Sequence, residues 1–247
     1  MTDARLAKLG TNGKPRPLGI PAIRDRVVQI ATKLVLEPIF ETEFKECSYG
    51  FRPKRDIRGA IRHILRAVRK GVYWVVNVDI SGYFENISHE KLMKLVEQRV
   101  SDRRILKLIR KWLKAGFVKD DQFYETDLGS PQGGVISPLL ANIYLNYLDT
   151  NWENKFTELG TLVRYADDLV ILCKTKDHAL ESINVLKAVF GKFELQMNTS
   201  KSKLIYLWNG NVGFDFLWSR LPHFAKLPLE ESHEEDEGEG KGSHRAT

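Results

Sequence analysis

Apolar residues along the chain change their spacing several times, and each change marks an element. Between Ile23 and Phe40, the residues Val27, Ile30, Ala31, Leu34 and Val35 recur at helical spacing. That predicts a helix with those five on its buried face, ended or bent by Pro38. Ahead of it, Leu9–Pro21 holds three glycines and three prolines and reads as a tight turn with an extended edge. Ser48–Pro53 reads as loop, and Asp56–Lys70 as a second, basic helix stopped by Gly71. Tyr73–Ile80 is rich in β-branched and aromatic residues and predicts a buried strand. Two helices follow, about His89–Val100 behind Ser88, and from Ser101 or Asp102 to Ala115. Phe117–Gly129 reads as an exposed hairpin turning at Lys119–Gln122. Ile136, Leu139, Leu140, Ile143, Tyr144, Tyr147 and Leu148 then define a long amphipathic helix. Leu162–Ala166 and Leu169–Cys173 are short strands flanking Asp167 and Asp168, a hairpin with carboxylates at its tip. A helix over Ala179–Phe193 and short strands over Lys203–Leu207 and Val212–Leu217 complete the pattern. Periodicity stops near Pro222, and the acidic, Gly-rich stretch from Glu230 reads as disordered.

The alternation of helical and strand segments predicts an α+β fold in which helices pack on a central antiparallel sheet. No internal repeat is evident. No apolar run approaches the ~18 residues of a membrane span, and MTDARLAKLG lacks the apolar stretch of a secretory signal. Cys47 and Cys173 form neither a CxxC pair nor a disulfide framework, which suits a reducing cytoplasm. A cytoplasmic protein, with the nucleoid as a possible association, is the expectation.

Charge sharpens this picture. The net charge is +6 over 247 residues. Residues 230–247 contain seven acids and two bases, leaving thirty-six basic and twenty-five acidic side chains, or +11, on residues 1–229. Such a body suits a polyanionic partner, although a solvated basic surface would have the same composition.

The candidate chemistry lies with the acids. Asp167 and Asp168 adjoin, and the one basic residue near them in sequence is Arg164. A divalent cation would relieve their repulsion, and Mg²⁺ takes few carboxylates while keeping positions for water and phosphate. Asp79 closes the strand Val75–Ile80; beside the hairpin it would supply a third carboxylate, enough for two cations and in-line phosphoryl transfer. A bare Asp-Asp pair can equally be only a turn. Gly129-Ser130-Pro131-Gln132-Gly133-Gly134 allows close backbone approach to a sugar or base, and Gln132 offers both donor and acceptor.

In this order the motifs resemble those of the reverse transcriptases encoded by group II introns, the intron maturases. The matching blocks are RPLGIPAIRDRVVQ from Arg16, SYGFRPKRD from Ser48, VDISGYFENISH from Val78, GSPQGGVISPLLANIYLNYLD from Gly129, VRYADDLVIL from Val163, NTSKSK from Asn198 and GFDFL from Gly213. Together they cover about residues 12–217. The resemblance implies partial fingers over residues 1–72, a palm with residual fingers elements over 73–220, and a divergent acidic tail over 221–247. It implies an RNA-directed DNA polymerase using two Mg²⁺ ions, or Mn²⁺, with an intron RNA template, a DNA primer and dNTPs. Asp79, Asp167 and Asp168 match the catalytic, metal-holding aspartates, and Ile80 would lend its backbone to the same site. Phe84 matches the aromatic under the nucleotide sugar, and Gln132 the residue lining the nucleotide pocket. Arg16 matches the arginine on the triphosphate, where a guanidinium fork suits phosphate. Lys201 matches a lysine able to protonate pyrophosphate. Arg52, Lys54, Arg55, Arg58, Arg62, Arg66 and Arg69 would follow the template backbone.

Departures accompany the resemblance. The fingers lysine expected six residues before Arg16 is Gly10, GFDFL continues as WSR, and no thumb, maturase or endonuclease motif follows. The expectation is a truncated reverse transcriptase, completed by a separate polypeptide carrying thumb and maturase domains. The alternative is an inactive remnant that at most binds RNA.

Overall fold

In the computed structural model, residues 2–9, 15–119, 122–124, 127–130, 133–207, 214–216 and 219–221 are described. Strands β1 (Thr2–Leu9) and β2 (Pro15–Pro21) pair antiparallel, and β1 also meets β4 (Phe117–Lys119), which pairs with β5 (Gln122–Tyr124). The first strand had no clear sequence signal. The hairpin predicted at Phe117–Gly129 is present as β4 and β5, its turn at 120–121 lying outside the described residues.

A second sheet organises the molecule. It comprises β3 (Trp74–Asp79), β6 (Thr161–Tyr165), β7 (Asp168–Cys173) and β8 (Lys203–Tyr206), in the order β6-β7-β3-β8 with every neighbour antiparallel. Both faces are covered, so β3 and β7 read as nearly continuous apolar runs rather than alternating ones. Val75, Val163, Val170 and Leu172 meet Ala60, Ile64, Ala67 and Val68 of α2 (Ile57–Arg69). Val76, Val78, Leu162, Leu169, Ile171 and Cys173 join the larger core. That core is built with α3 (His89–Glu97), α4 (Arg103–Leu113), α5 (Ser137–Lys155) and α6 (Lys176–Lys192). Beyond β8, β9 (Phe214–Phe216) and β10 (Ser219–Leu221) form a small hairpin. The acidic tail from residue 222 lies outside the described residues.

Two helical readings require correction. In α1 (Ile23–Glu41) the buried residues are Gln29, Thr32, Leu36 and Phe40, whereas Val27, Ile30, Ala31, Leu34 and Val35 are exposed. The helix turns its more polar face inward because that face has partners: Gln29 Oε1 accepts the Val135 amide at 2.9 Å, and the Thr32 hydroxyl donates to the Val28 carbonyl at 2.8 Å. In α5 the apolar stripe is buried as expected, but so are Ala141, Asn142, Leu145 and Asp149. The helix is enclosed on more than one side, and its buried polar residues answer a buried arginine described below.

Candidate active site

The β3–β7 register sets Asp79 directly opposite Asp168. On the other side of β7, Tyr165 pairs with Asp168, leaving Ala166 and Asp167 as a two-residue turn. Ala166 has φ of 56°, the left-handed value that a primed hairpin turn demands at its first central position. The turn thus carries Asp167 at its tip and Asp168 at the first position of β7, next to Asp79.

Electrostatics register this crowding. Burial, then the charges of Asp167 and Asp79, push the Asp168 carboxyl up to about 6, while Lys201 pulls it down. Lys201 Nζ stands 3.5 Å from Asp79 Oδ2. Two further residues hold Asp79, and sequence reasoning had not singled them out. Asn198 Nδ2 donates to Asp79 Oδ2 at 3.0 Å, and the Asn198 amide donates to the Asp79 carbonyl at 2.8 Å. The Asp79 amide in turn donates to Ser202 Oγ at 3.2 Å. Asn198 lies 119 residues from Asp79, so only the β3–β8 pairing reveals the contact. Among the described residues, no group of three or more His, Cys, Asp or Glu side chains is gathered into a ready metal cluster. Asp79, Asp167 and Asp168 nonetheless share one sheet end, and their donor chemistry is of the hard kind that suits Mg²⁺. Ile80 is buried and pairs with Met197, so any part it plays is through its backbone.

A second group forms around Phe84, within a short 3₁₀ turn (Tyr83–Glu85). Phe84 is half-buried and meets the Tyr83 ring edge-on at 5.3 Å. The Phe84 carbonyl accepts the Ser130 amide at 2.7 Å, and the Ile87 carbonyl accepts the Gly129 amide at 2.9 Å. Gly129 is required here: its φ is 89°, and a Cβ would lie 2.9 Å from the carbonyl oxygens of Phe84 and Glu85. The aromatic and the start of the Gly-rich loop are therefore tied backbone to backbone. Gln132 lies outside the described residues, and Arg16 is described only as backbone within β2.

The basic residues separate into two kinds. Arg58, Arg62, Arg66 and Arg69 lie along the exposed face of α2, and Lys54 is exposed before it. Arg55 is half-buried, with Nη2 2.6 Å from Glu46 Oε1. Arg52 does not belong with them, which corrects its assignment to RNA. Its side chain is 3% exposed and donates to both Glu41 oxygens and to the carbonyls of Lys45, Ser48 and Phe44. These bonds consume the guanidinium in fastening the loop to the end of α1. Arg164 is corrected likewise. It does not neutralise Asp167 and Asp168, because it is fully buried and paired with Asp149, Asn142 and Ser48. It does donate to the Ala166 carbonyl at 2.9 Å, bracing the hairpin tip from beneath.

The fold is that of a reverse transcriptase domain. A telomerase from Candida tropicalis, solved with a fragment of telomeric RNA, superposes with a TM-score of 0.68 at 12% identity, covering 94% of this chain and 45% of that one. By sequence the chain belongs to the reverse transcriptase (RNA-dependent DNA polymerase) family, whose pattern matches residues 6–232. That span begins before and ends beyond the motif blocks. The chain is 38% identical to protein YkfC of Escherichia coli K12, over 85% of this chain and 64% of YkfC. It is 46% identical to the group II intron-encoded protein LtrA of Lactococcus lactis over 136 residues, 55% of this chain and 22% of LtrA. The chain therefore spans less than two thirds of these relatives. No helix among the described residues is long and apolar enough to cross a membrane.

Proposed function

We propose that the chain carries the nucleotidyl-transfer site of a group II intron reverse transcriptase, adding dNTPs to a DNA primer on an intron RNA template. One observation carries the reading: β3–β7 pairing sets Asp79 against Asp168, with Asp167 in the adjoining turn. An anionic cluster at a sheet end is costly unless something cationic uses it; the Asp168 pKa is lifted first by burial and then by the charges of Asp167 and Asp79.

Asp79, Asp167 and Asp168, with the Ile80 carbonyl, would hold two Mg²⁺ or Mn²⁺ ions. When bound, these supply neutralisation of phosphate charge and acidification of the primer hydroxyl. The remaining work falls to side chains. Asn198 and Ser202 hold Asp79 in one orientation. Lys201, whose Nζ stands 3.5 Å from Asp79 Oδ2, takes the part of proton donor to departing pyrophosphate in this reading. Phe84 supports the sugar of the incoming nucleotide, Gln132 its pocket and Arg16 its triphosphate. Lys54, Arg58 and Arg62 carry template phosphates, for which their charge and exposure are suited, and the half-buried Arg55 joins them by releasing Glu46.

The test is primer extension on an RNA template with Mg²⁺ and dNTPs, beside RNA binding by the same preparations. Asp79→Asn and Asp168→Asn should abolish extension and leave RNA binding intact. Extension that survives both substitutions would refute the site.

A further inference from the structure

The loop Ser48–Asp56 contains a residue in a strained conformation. Phe51 has φ of 59°, the left-handed region in which a bulky side chain is a genuine outlier. Core packing does not account for it. Phe51 is 49% exposed and joins neither apolar core.

The surrounding backbone fixes the residue there. Tyr49 N–H donates to the Arg164 carbonyl at 2.8 Å, and Arg164 N–H to the Cys47 carbonyl at 2.7 Å, so the segment lies along β6. The Gly50 carbonyl accepts Asn142 Nδ2 at 2.8 Å. Gly50 also rests on the catalytic hairpin itself: a Cβ there would lie 2.4 Å from the Ala166 amide nitrogen. On the far side, Arg52 is bolted to Glu41. With Gly50 and Arg52 both pinned, Phe51 is held exposed one residue from the backbone that rests on the turn carrying Asp167.

Charge continues from this point. Lys54 is also left-handed, with φ of 60°. A cleft of about 480 Å³ beside it is lined by Lys54, Arg55, Arg62 and Arg66, and also by the acids Glu41, Glu46 and Asp56. An exposed ring in the segment that rests on the Asp167 turn, followed along the chain by the exposed cations Lys54, Arg62 and Arg66, matches single-stranded nucleic acid, whose bases stack while its phosphates follow cations.

We infer that Phe51 is a stacking platform for an unpaired template nucleobase at the entrance to the catalytic hairpin. This rests on the polymerase reading above and adds the residue that holds the template base.

The experiment uses the full chain with an RNA template–DNA primer carrying 2-aminopurine at the first unpaired template position. Fluorescence and affinity are read without dNTPs, so no turnover is needed. The wild type should quench the probe. Phe51→Ala should lose the quench and bind about five- to a hundredfold more weakly. Phe51→Tyr should restore both. Phe51→Gly separates stacking from structure: it relieves the left-handed strain, so its thermal midpoint should equal or exceed the wild type while quenching is lost. Unchanged quench and affinity in Phe51→Ala and Phe51→Gly would overturn the inference, as would a fall in midpoint for Phe51→Gly with stacking retained. Failure of the polymerase reading is distinguishable. There, Phe51 variants would alter the quench while Asp168→Asn left extension unchanged. Absence of any binding to the template–primer would overturn both.

Discussion

Removing the Asp149 carboxylate isolates the interaction on which the hairpin carrying Asp167 is braced. Arg164 and Asp149 are both fully buried. Arg164 Nε reaches Asp149 Oδ1 at 2.9 Å and Oδ2 at 3.1 Å, and Nη2 reaches Oδ2 at 2.5 Å. Its remaining bonds run to Asn142 Oδ1 at 3.0 Å, the Ala166 carbonyl at 2.9 Å and Ser48 Oγ at 2.7 Å. Burial opposes the guanidinium charge, yet the Asp149 charge and hydrogen bonds outweigh it, leaving the pKa above its ordinary value. Asp149→Ala therefore strands a full positive charge among neutral acceptors, which costs about 3–5 kcal/mol. Domains are stable by only about 5–15 kcal/mol. At about 2–4 °C per kcal/mol for a chain of this size, the thermal midpoint should fall by about 6–20 °C. The assay is urea denaturation of the wild type, Asp149→Ala, Arg164→Met and the double variant. Loss of either charge alone leaves the other unpaired, so the double variant should cost less than the sum of the two by about 1–3 kcal/mol. A cost below about 1 kcal/mol for Asp149→Ala, with additive singles, would refute the reasoning.

The orientation of α1 predicts that Leu34→Gln changes stability by no more than about 0.5 kcal/mol, whereas Leu36→Ala costs about 2–5 kcal/mol; urea midpoints decide it, and equal losses would reverse the helix faces. Asp168 keeps its proton up to about pH 6 in the fold but only to about 3.9 when unfolded. The folded state thus binds more protons between these values, and stability falls as pH rises from about 4 to 6. In chelator, Asp168→Asn should flatten this slope and exceed the wild type at pH 7; parallel stability curves would count against it. Replacing Arg62 and Arg66 by Gln should weaken RNA binding uniformly across sequences and lower the salt slope by about one for each phosphate no longer neutralised. Arg52→Gln should instead lower the unfolding midpoint and leave the salt slope of the folded protein unchanged.

Much of this fold was legible because local chemistry and tertiary role agree. The β6–β7 hairpin could be read from two apolar runs around a dipeptide, and β3 from its β-branched residues. The site became legible once Asp79 was placed at a strand end. What escaped was nonlocal. Nothing beside Asn198 in sequence marks it as the partner of Asp79, nor does anything beside Gln29 mark it as the acceptor of the Val135 amide. The strand β1 is of mixed polarity and shows itself through pairing with β2 and β4.

The arginines make the same distinction in sharper form. In sequence, Arg52, Arg58, Arg62 and Arg164 look alike, since each sits in or next to a motif block. What separates them is which acceptors the fold brings within reach. Arg52 folds back on the segment that follows α1, where the carbonyls of Phe44, Lys45 and Ser48 and the Glu41 carboxylate lie within reach, so its donors are used up internally. Arg164 reaches from the edge strand β6 to α5, where Asn142 and Asp149 wait at helical spacing. Arg58 and Arg62 share a helix face opposite Ala60 and Ile64, so burying the apolar face obliges the guanidinium groups to face water. Amphipathicity alone therefore identifies the arginines free to meet a polyanion. Those within turns and strands need the three-dimensional acceptor count before any ligand can be assigned to them.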